Sequence, residues 1–114
     1  MGNPKVYGEE NSNSNLRITD GIASGDVTDH SAIIWSRINQ PSIMHVEYSI
    51  DPLLSSSNSS IKWTDNATDF TGNILIDNLT EGTKYFYRVW FSTTDNHINS
   101  TSMSGLFKTA PKST

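Results

Sequence analysis

The sequence contains no cysteine. That excludes disulfide staples, a thiol nucleophile and any cysteine-ligated zinc site, so the fold must hold by packing and hydrogen bonding. It contains no run of about 18 apolar residues, and therefore no stretch long enough to cross a bilayer as a helix. It has no surplus of basic residues: 8 Lys and Arg stand against 12 Asp and Glu, for a net charge of −4. A nucleic-acid binder would instead show a basic patch or stripe. None of the many serines sits in a G-x-S-x-G elbow or an S-x-x-K motif, and Gly21 to Gly25 lack phosphate-loop spacing. No window shows a helical hydrophobic period. The N-terminus has no charged-then-apolar leader, and Val6 stands where a myristoylation pattern needs Ser or Thr.

What is present is polar and turn-prone. Ser, Thr and Asn are abundant and favour turns and solvated strand faces over long helices. At 114 residues, one domain with one core is expected. Residues 1–15 are mostly polar and read as a flexible lead-in. Residues 16–111 read as the domain, and 112–114 as the start of a linker. Within the domain, strands are expected near 18–25, 31–38, 43–50, 60–64, 69–77, 83–93 and 103–109, with Ser55 to Ser60 as a loop. Seven short strands in roughly 100 residues predict an all-β, antiparallel sandwich of the immunoglobulin or fibronectin III type.

Alternation sorts the faces. Val46, Tyr48 and Ile50 share one side, with His45, Glu47 and Ser49 on the other. Ile74 and Ile76 share a face. Tyr85, Tyr87, Val89 and Phe91 share the inward face, leaving Phe86, Arg88 and Trp90 outward. The stretch Ala32 to Arg37 is apolar on both faces, with Ile33 and Trp35 on one and Ala32 and Ile34 on the other. Trp35, large and β-favouring, is expected to be the central core residue. In "LTEGTKYFY", Leu79 ends a strand, Glu81 and Gly82 turn the chain, and Tyr85 opens the next strand. That is the spacing of a tyrosine corner, whose hydroxyl bonds back to upstream backbone.

Two sets of residues are candidates for chemistry or recognition. Gly25-Asp26-Val27-Thr28-Asp29, followed by His30, places oxygen and imidazole ligands close together, as a hard cation would need. A phosphoesterase centre requires further ligands in D-x-H and similar patterns, and His45 and His97 occur singly. The stretch is therefore read as a polar turn with Asp capping backbone N–H groups; no catalytic, cofactor-binding or metal residue is assigned. Phe86, Arg88 and Trp90, with His45 and Glu47 nearby, form a candidate contact surface for another domain, a sugar ring or a peptide. Four Asn-X-Ser/Thr sequons begin at Asn58, Asn66, Asn78 and Asn99, which are glycosylation candidates in an exported protein.

Several segments together carry a family resemblance. "GIASGDVTDHSAIIWSRI", "VEYSIDP", "LTEGTKYFYRVWF" and "GLFKTAP" resemble the N-terminal domain of alkaline phosphatase D-like phosphatases and phosphodiesterases. The likeness runs from Ile18 to Pro111. "ASGD" followed by "WSR", and the closing "FKTAP", are its most specific parts. The corner segment is shared with many fibronectin III domains and with purple acid phosphatase N-terminal domains. Where the family usually has Gly-Asp-Pro, this chain has Gly25-Asp26-Val27.

The resemblance implies a fibronectin III-like module without chemistry of its own; Trp35, Leu79, Gly82 and Tyr85 are read as structural from the strand pattern and corner spacing above. It implies an extracellular, cell-surface or periplasm-like parent. A metallophosphatase domain holding iron and calcium would follow Pro111 as its partner in the same chain. Because the sequence stops at Thr114, the expectation is a fragment cut at the domain boundary, or an orphan module. The alternative is a free-standing fibronectin III-like module for adhesion or carbohydrate binding.

Overall fold

The structure is a computed structural model that describes residues 16–54, 57–64, 70–93 and 99–112. Seven strands follow one another: β1 (Ile18–Gly25), β2 (Ala32–Ile38), β3 (Ser42–Ser49), β4 (Asn58–Thr64), β5 (Thr71–Ile76), β6 (Lys84–Ser92) and β7 (Met103–Lys108). They form two antiparallel sheets, β1-β2-β5 and β4-β3-β6-β7. Placing β4 beside β3 distinguishes this sandwich from the constant-type immunoglobulin arrangement, where the fourth strand joins the other sheet. Among the described residues no helix is long and apolar enough to cross a membrane.

The core lies between the sheets. Ala32, Ile34 and Ile38 of β2 and Ile74 and Ile76 of β5 face Met44 and Val46 of β3. Tyr85, Tyr87, Val89 and Phe91 of β6 complete it with Phe107 of β7. The inward residues of β6 alternate without a break, because a half-buried antiparallel strand needs one apolar side only. Phe107 packs between Tyr85 and Tyr87, with ring centroids 5.6 and 6.0 Å apart, the tilted and offset contacts that aromatic quadrupoles favour.

Three expectations need correction. Trp35 is half-buried on the outer face of its sheet, and Ile34 fills the core at 0 % exposure. Since β2 is apolar on both sides, alternation could not fix its phase. The inward set includes Ser36, which is tolerated because its hydroxyl donates to the Gly21 carbonyl at 2.9 Å. Ile50 lies past the end of β3 and is 64 % exposed, because the chain bends after Ser49 and the alternation stops there. Asn58 to Ser60 belong to β4 instead of a loop. The long β3 recruits them, pairing Tyr48 with Asn58, Glu47 with Ser59 and Val46 with Ser60.

Gly21 adopts φ 76° where the β1–β2 register shifts, a conformation that side chains with a Cβ resist and that marks a bulge. Residues 1–15, expected as a lead-in, lie outside the described residues, as do Asn66, His97 and most of the expected linker. Leu16, at the start of the described chain, is already buried.

Candidate functional site

The β1–β2 turn holds the acidic cluster. The Thr28 hydroxyl accepts the N–H groups of His30 at 3.2 Å and Ser31 at 2.9 Å. The cap to these two amides is thus a threonine where an aspartate was expected; both types supply a side-chain oxygen to turn amides. Asp29 Oδ1 lies 2.6 Å from His30 Nδ1. That hydrogen bond raises the His30 pKa above its ordinary value. Asp26, at φ 47°, is exposed at the end of β1. Among the described residues no three His, Asp or Glu side chains converge as a metal site would require.

The β5–β6 corner is built from the far end of the chain as well as from its own residues. The Tyr85 hydroxyl accepts the Thr80 N–H at 2.8 Å. Thr109, 2 % exposed, donates its hydroxyl to the Thr80 carbonyl at 2.6 Å and accepts the Thr83 N–H at 2.9 Å. Gly82 turns the chain at φ 58°, and its N–H donates to the Ala110 carbonyl at 2.8 Å. The Ala110 N–H in turn donates to the Thr28 carbonyl at 3.0 Å. Leu79 is buried beneath this corner. Sequence reasoning passed over Thr109 and Ala110, because their partners lie more than 25 residues away. The only signal was the "KTAP" motif itself.

Phe86, Arg88 and Trp90 share the outer face of the four-stranded sheet, and all three are half-buried. Register brings His45 opposite Trp90 and Glu47 opposite Arg88. The His45 and Trp90 rings stack at 4.9 Å with a 4° angle between planes. His45 Nε2 also meets the Ser92 hydroxyl at 2.7 Å, and burial pulls its pKa below the ordinary value. The Arg88 guanidinium donates to Glu47 Oε1 at 2.7 Å and lies 4.8 Å from the Trp90 ring centre. Its Nε is buried with no hydrogen-bond partner. Beside Arg88 and Trp90, an open cleft of about 340 Å³ is completed by Asn99, Ser100 and Ser102. Aromatic face, guanidinium, amide and hydroxyls are groups that could hold a sugar or a peptide backbone. The alternation in β6 pointed to the three outward side chains; their ion pair and ring stack depend on β3 register, which the sequence does not show.

Comparison with known proteins places this sandwich. The family model for the PhoD-like phosphatase, N-terminal domain, matches residues 4–111. The chain belongs to that family. A solved structure of PhoD superimposes on this PhoD-like N-terminal domain with a TM-score of 0.68 at 21 % identity, covering 81 % of this chain and 19 % of the PhoD chain. This chain thus spans about a fifth of the PhoD chain it matches. A two-domain fibronectin type III segment of chicken tenascin gives a TM-score of 0.60 at 19 % identity, covering 82 % of this chain and 49 % of that one. The sensor domain of the anti-sigma factor RsgI4 from Pseudobacteroides cellulosolvens gives 0.59 at 18 % identity, covering 86 % and 97 %. Identities this low show a shared fold alone, and the fold is fibronectin III-like. No curated protein aligns with the sequence at a significant level.

Proposed function

We propose that this PhoD-like N-terminal domain is a non-catalytic accessory module of a metal-dependent phosphatase or phosphodiesterase. In this reading it packs on the metallophosphatase domain that follows it in the parent chain. The observation that carries the reading is the family match over residues 4–111. The clustering of acidic and imidazole groups at Asp29 and His30 is a contact within one turn, whereas phosphoester hydrolysis at a metal centre draws ligands from several strand ends. Iron and calcium belong, in this reading, to the following domain; among the described residues no three His, Asp or Glu side chains group as ligands for them. The parent is exported, and the sequons at Asn58, Asn78 and Asn99 then sit on described surface positions, the first in β4 and the others exposed.

The test compares this 114-residue chain with the parent chain extended past Thr114. Both are assayed for phosphomonoester and phosphodiester hydrolysis with iron and calcium added, and both are unfolded by heat. The reading expects an inactive short chain, an active long one, and one coupled transition in the long one. Hydrolysis by the short chain would sink the non-catalytic assignment. Two independent transitions in the long chain would sink the packing.

The cleft beside Trp90 favours a second reading, a free-standing adhesion or carbohydrate-binding module. Saturable sugar binding by the short chain that is lost in Trp90→Ala, together with a gene that continues into further β-modules, would establish it instead.

A further inference from the structure

The outer face of the four-stranded sheet changes character along its length. At the end where the chain leaves the sandwich, Lys84 of β6 stands opposite Lys108 of β7. The next outward rung pairs Phe86 with Leu106, and the next pairs Arg88 with Ser104. Trp90 lies further along, opposite His45. Like charges directly opposite in an antiparallel pair repel. Among the described residues no carboxylate makes an ion pair with either lysine, and both are exposed. Leu106, beside this basic rung, is 57 % exposed. Ile50 and Leu53, in the turn after Ser49, the β3 partner of Phe86, are exposed as well. By contrast, the Arg88 rung already has Glu47, and Trp90 already has His45.

The exit of the chain lies at this same end. Hydrogen bonds from Gly82 to Ala110 and from Ala110 to Thr28 fix where the backbone leaves. At about 3.3 Å per strand residue, Leu106 is roughly 13 Å from Ala110, and Trp90 is roughly another 13 Å beyond the Phe86 rung. A domain tethered just past Pro111 therefore reaches the lysine and Phe86–Leu106 rungs first.

Resting on the accessory-domain reading above, we propose that the downstream domain of the parent chain docks on the Phe86–Leu106 rung. It faces Lys84 and Lys108 with carboxylates, and the Trp90–His45 stack stays outside the contact. Carboxylates facing the two exposed lysines supply charge complementarity, and the apolar rung loses its contact with water.

The experiment is scanning calorimetry of the parent chain and of the 114-residue chain, each with three variants. The double change Lys84→Glu/Lys108→Glu replaces one like-charged rung with another. It should leave the short chain's Tm within a few degrees while separating the two domains' transitions in the parent by at least about 5 °C. Leu106→Asp should separate them as well. Trp90→Ser should leave the parent's two domains in one transition, lowered by fewer degrees than that of the short chain because the coupled unit is larger. The proposal fails if the charge reversal and Leu106→Asp leave the parent's transition coupled. If Trp90→Ser splits it instead, the domains pack but through the other end of the sheet. Two transitions in the unmodified parent would defeat the packing reading itself. Binding of the short chain to vesicles rich in phosphatidylserine, lost on charge reversal while the parent's coupling persists, would reassign the lysine rung to a membrane surface and overturn the proposal.

Discussion

Thr109→Val tests the claim that the last turn of the chain holds the β5–β6 corner. The side chain is 2 % exposed, and valine preserves its branched shape. What it removes is a hydroxyl that donates to the Thr80 carbonyl at 2.6 Å and accepts the Thr83 N–H at 2.9 Å. A buried donor or acceptor left without its partner costs about 1–3 kcal/mol. Thr80 is exposed, so its carbonyl can recover a water, and most of the loss falls on the Thr83 amide. The loss is about 1–3 kcal/mol, which in a domain of this size lowers Tm by roughly 4–24 °C. Thermal and urea unfolding followed by circular dichroism measure it directly. A loss under about 0.5 kcal/mol, the scale of an ordinary surface substitution, would refute the assignment.

A double-mutant cycle sharpens the same test. Tyr85→Phe removes the acceptor of the Thr80 N–H, so both changes act on one turn. If the turn opens as a unit, the second change finds the first loss already incurred. The pair then falls short of additivity by about 0.5 kcal/mol or more. Strict additivity would mean that Tyr85 and Thr109 brace separate pieces of backbone.

Three further outcomes follow from the packing and the titration of this domain. Gly105→Ala places a Cβ 2.7 to 3.0 Å from the Tyr87 ring and hydroxyl, and because Tyr87 is buried at 3 % exposure it cannot swing away; a loss of about 1–3 kcal/mol in urea unfolding is expected. Ile34→Ala, in the core, should lose about 2–5 kcal/mol, and Trp35→Ala clearly less; the reverse order would restore Trp35 to the interior. His45, whose pKa burial holds below 6.5, resists protonation when folded, so its stability contribution is intact above pH 6.5 and falls as the pH drops toward the depressed value. His30, whose pKa its hydrogen bond with Asp29 raises, works oppositely. The drop in Tm from about pH 7.5 to about pH 5.5 should therefore shrink in His45→Gln and grow in His30→Gln; an unchanged drop in both would refute the two assignments.

These residues also show where sequence patterns stop carrying information. Alternation fixed the inward face of β6 because Tyr85, Tyr87, Val89 and Phe91 oppose Lys84, Phe86, Arg88 and Trp90, and only Phe86 and Trp90 blur the contrast. In β2 the same reasoning fails, since Ile33 and Trp35 are as apolar as Ala32 and Ile34. The side that is buried includes Ser36, tolerated because the Gly21 bulge presents a carbonyl to its hydroxyl. A buried serine looks wrong in a one-dimensional pattern and is correct once its partner is known. Thr109 and Gly105 follow the same logic. Each is an ordinary residue locally; Gly105 is constrained by the Tyr87 ring that β6–β7 register places beside it, and Thr109 by the turn between β5 and β6.

The outer sheet face shows the converse. Its residues were visible, but which of them the register sets opposite one another was not. Register pairs Glu47 with Arg88 and His45 with Trp90, so the most conspicuous side chains are engaged with one another, Arg88 Nε excepted. It leaves the plainer Lys84, Lys108, Phe86 and Leu106 uncompensated at the chain's exit. Recognition by this domain is therefore better sought where the fold leaves charge and apolar area unmatched than where the largest aromatic residues happen to lie.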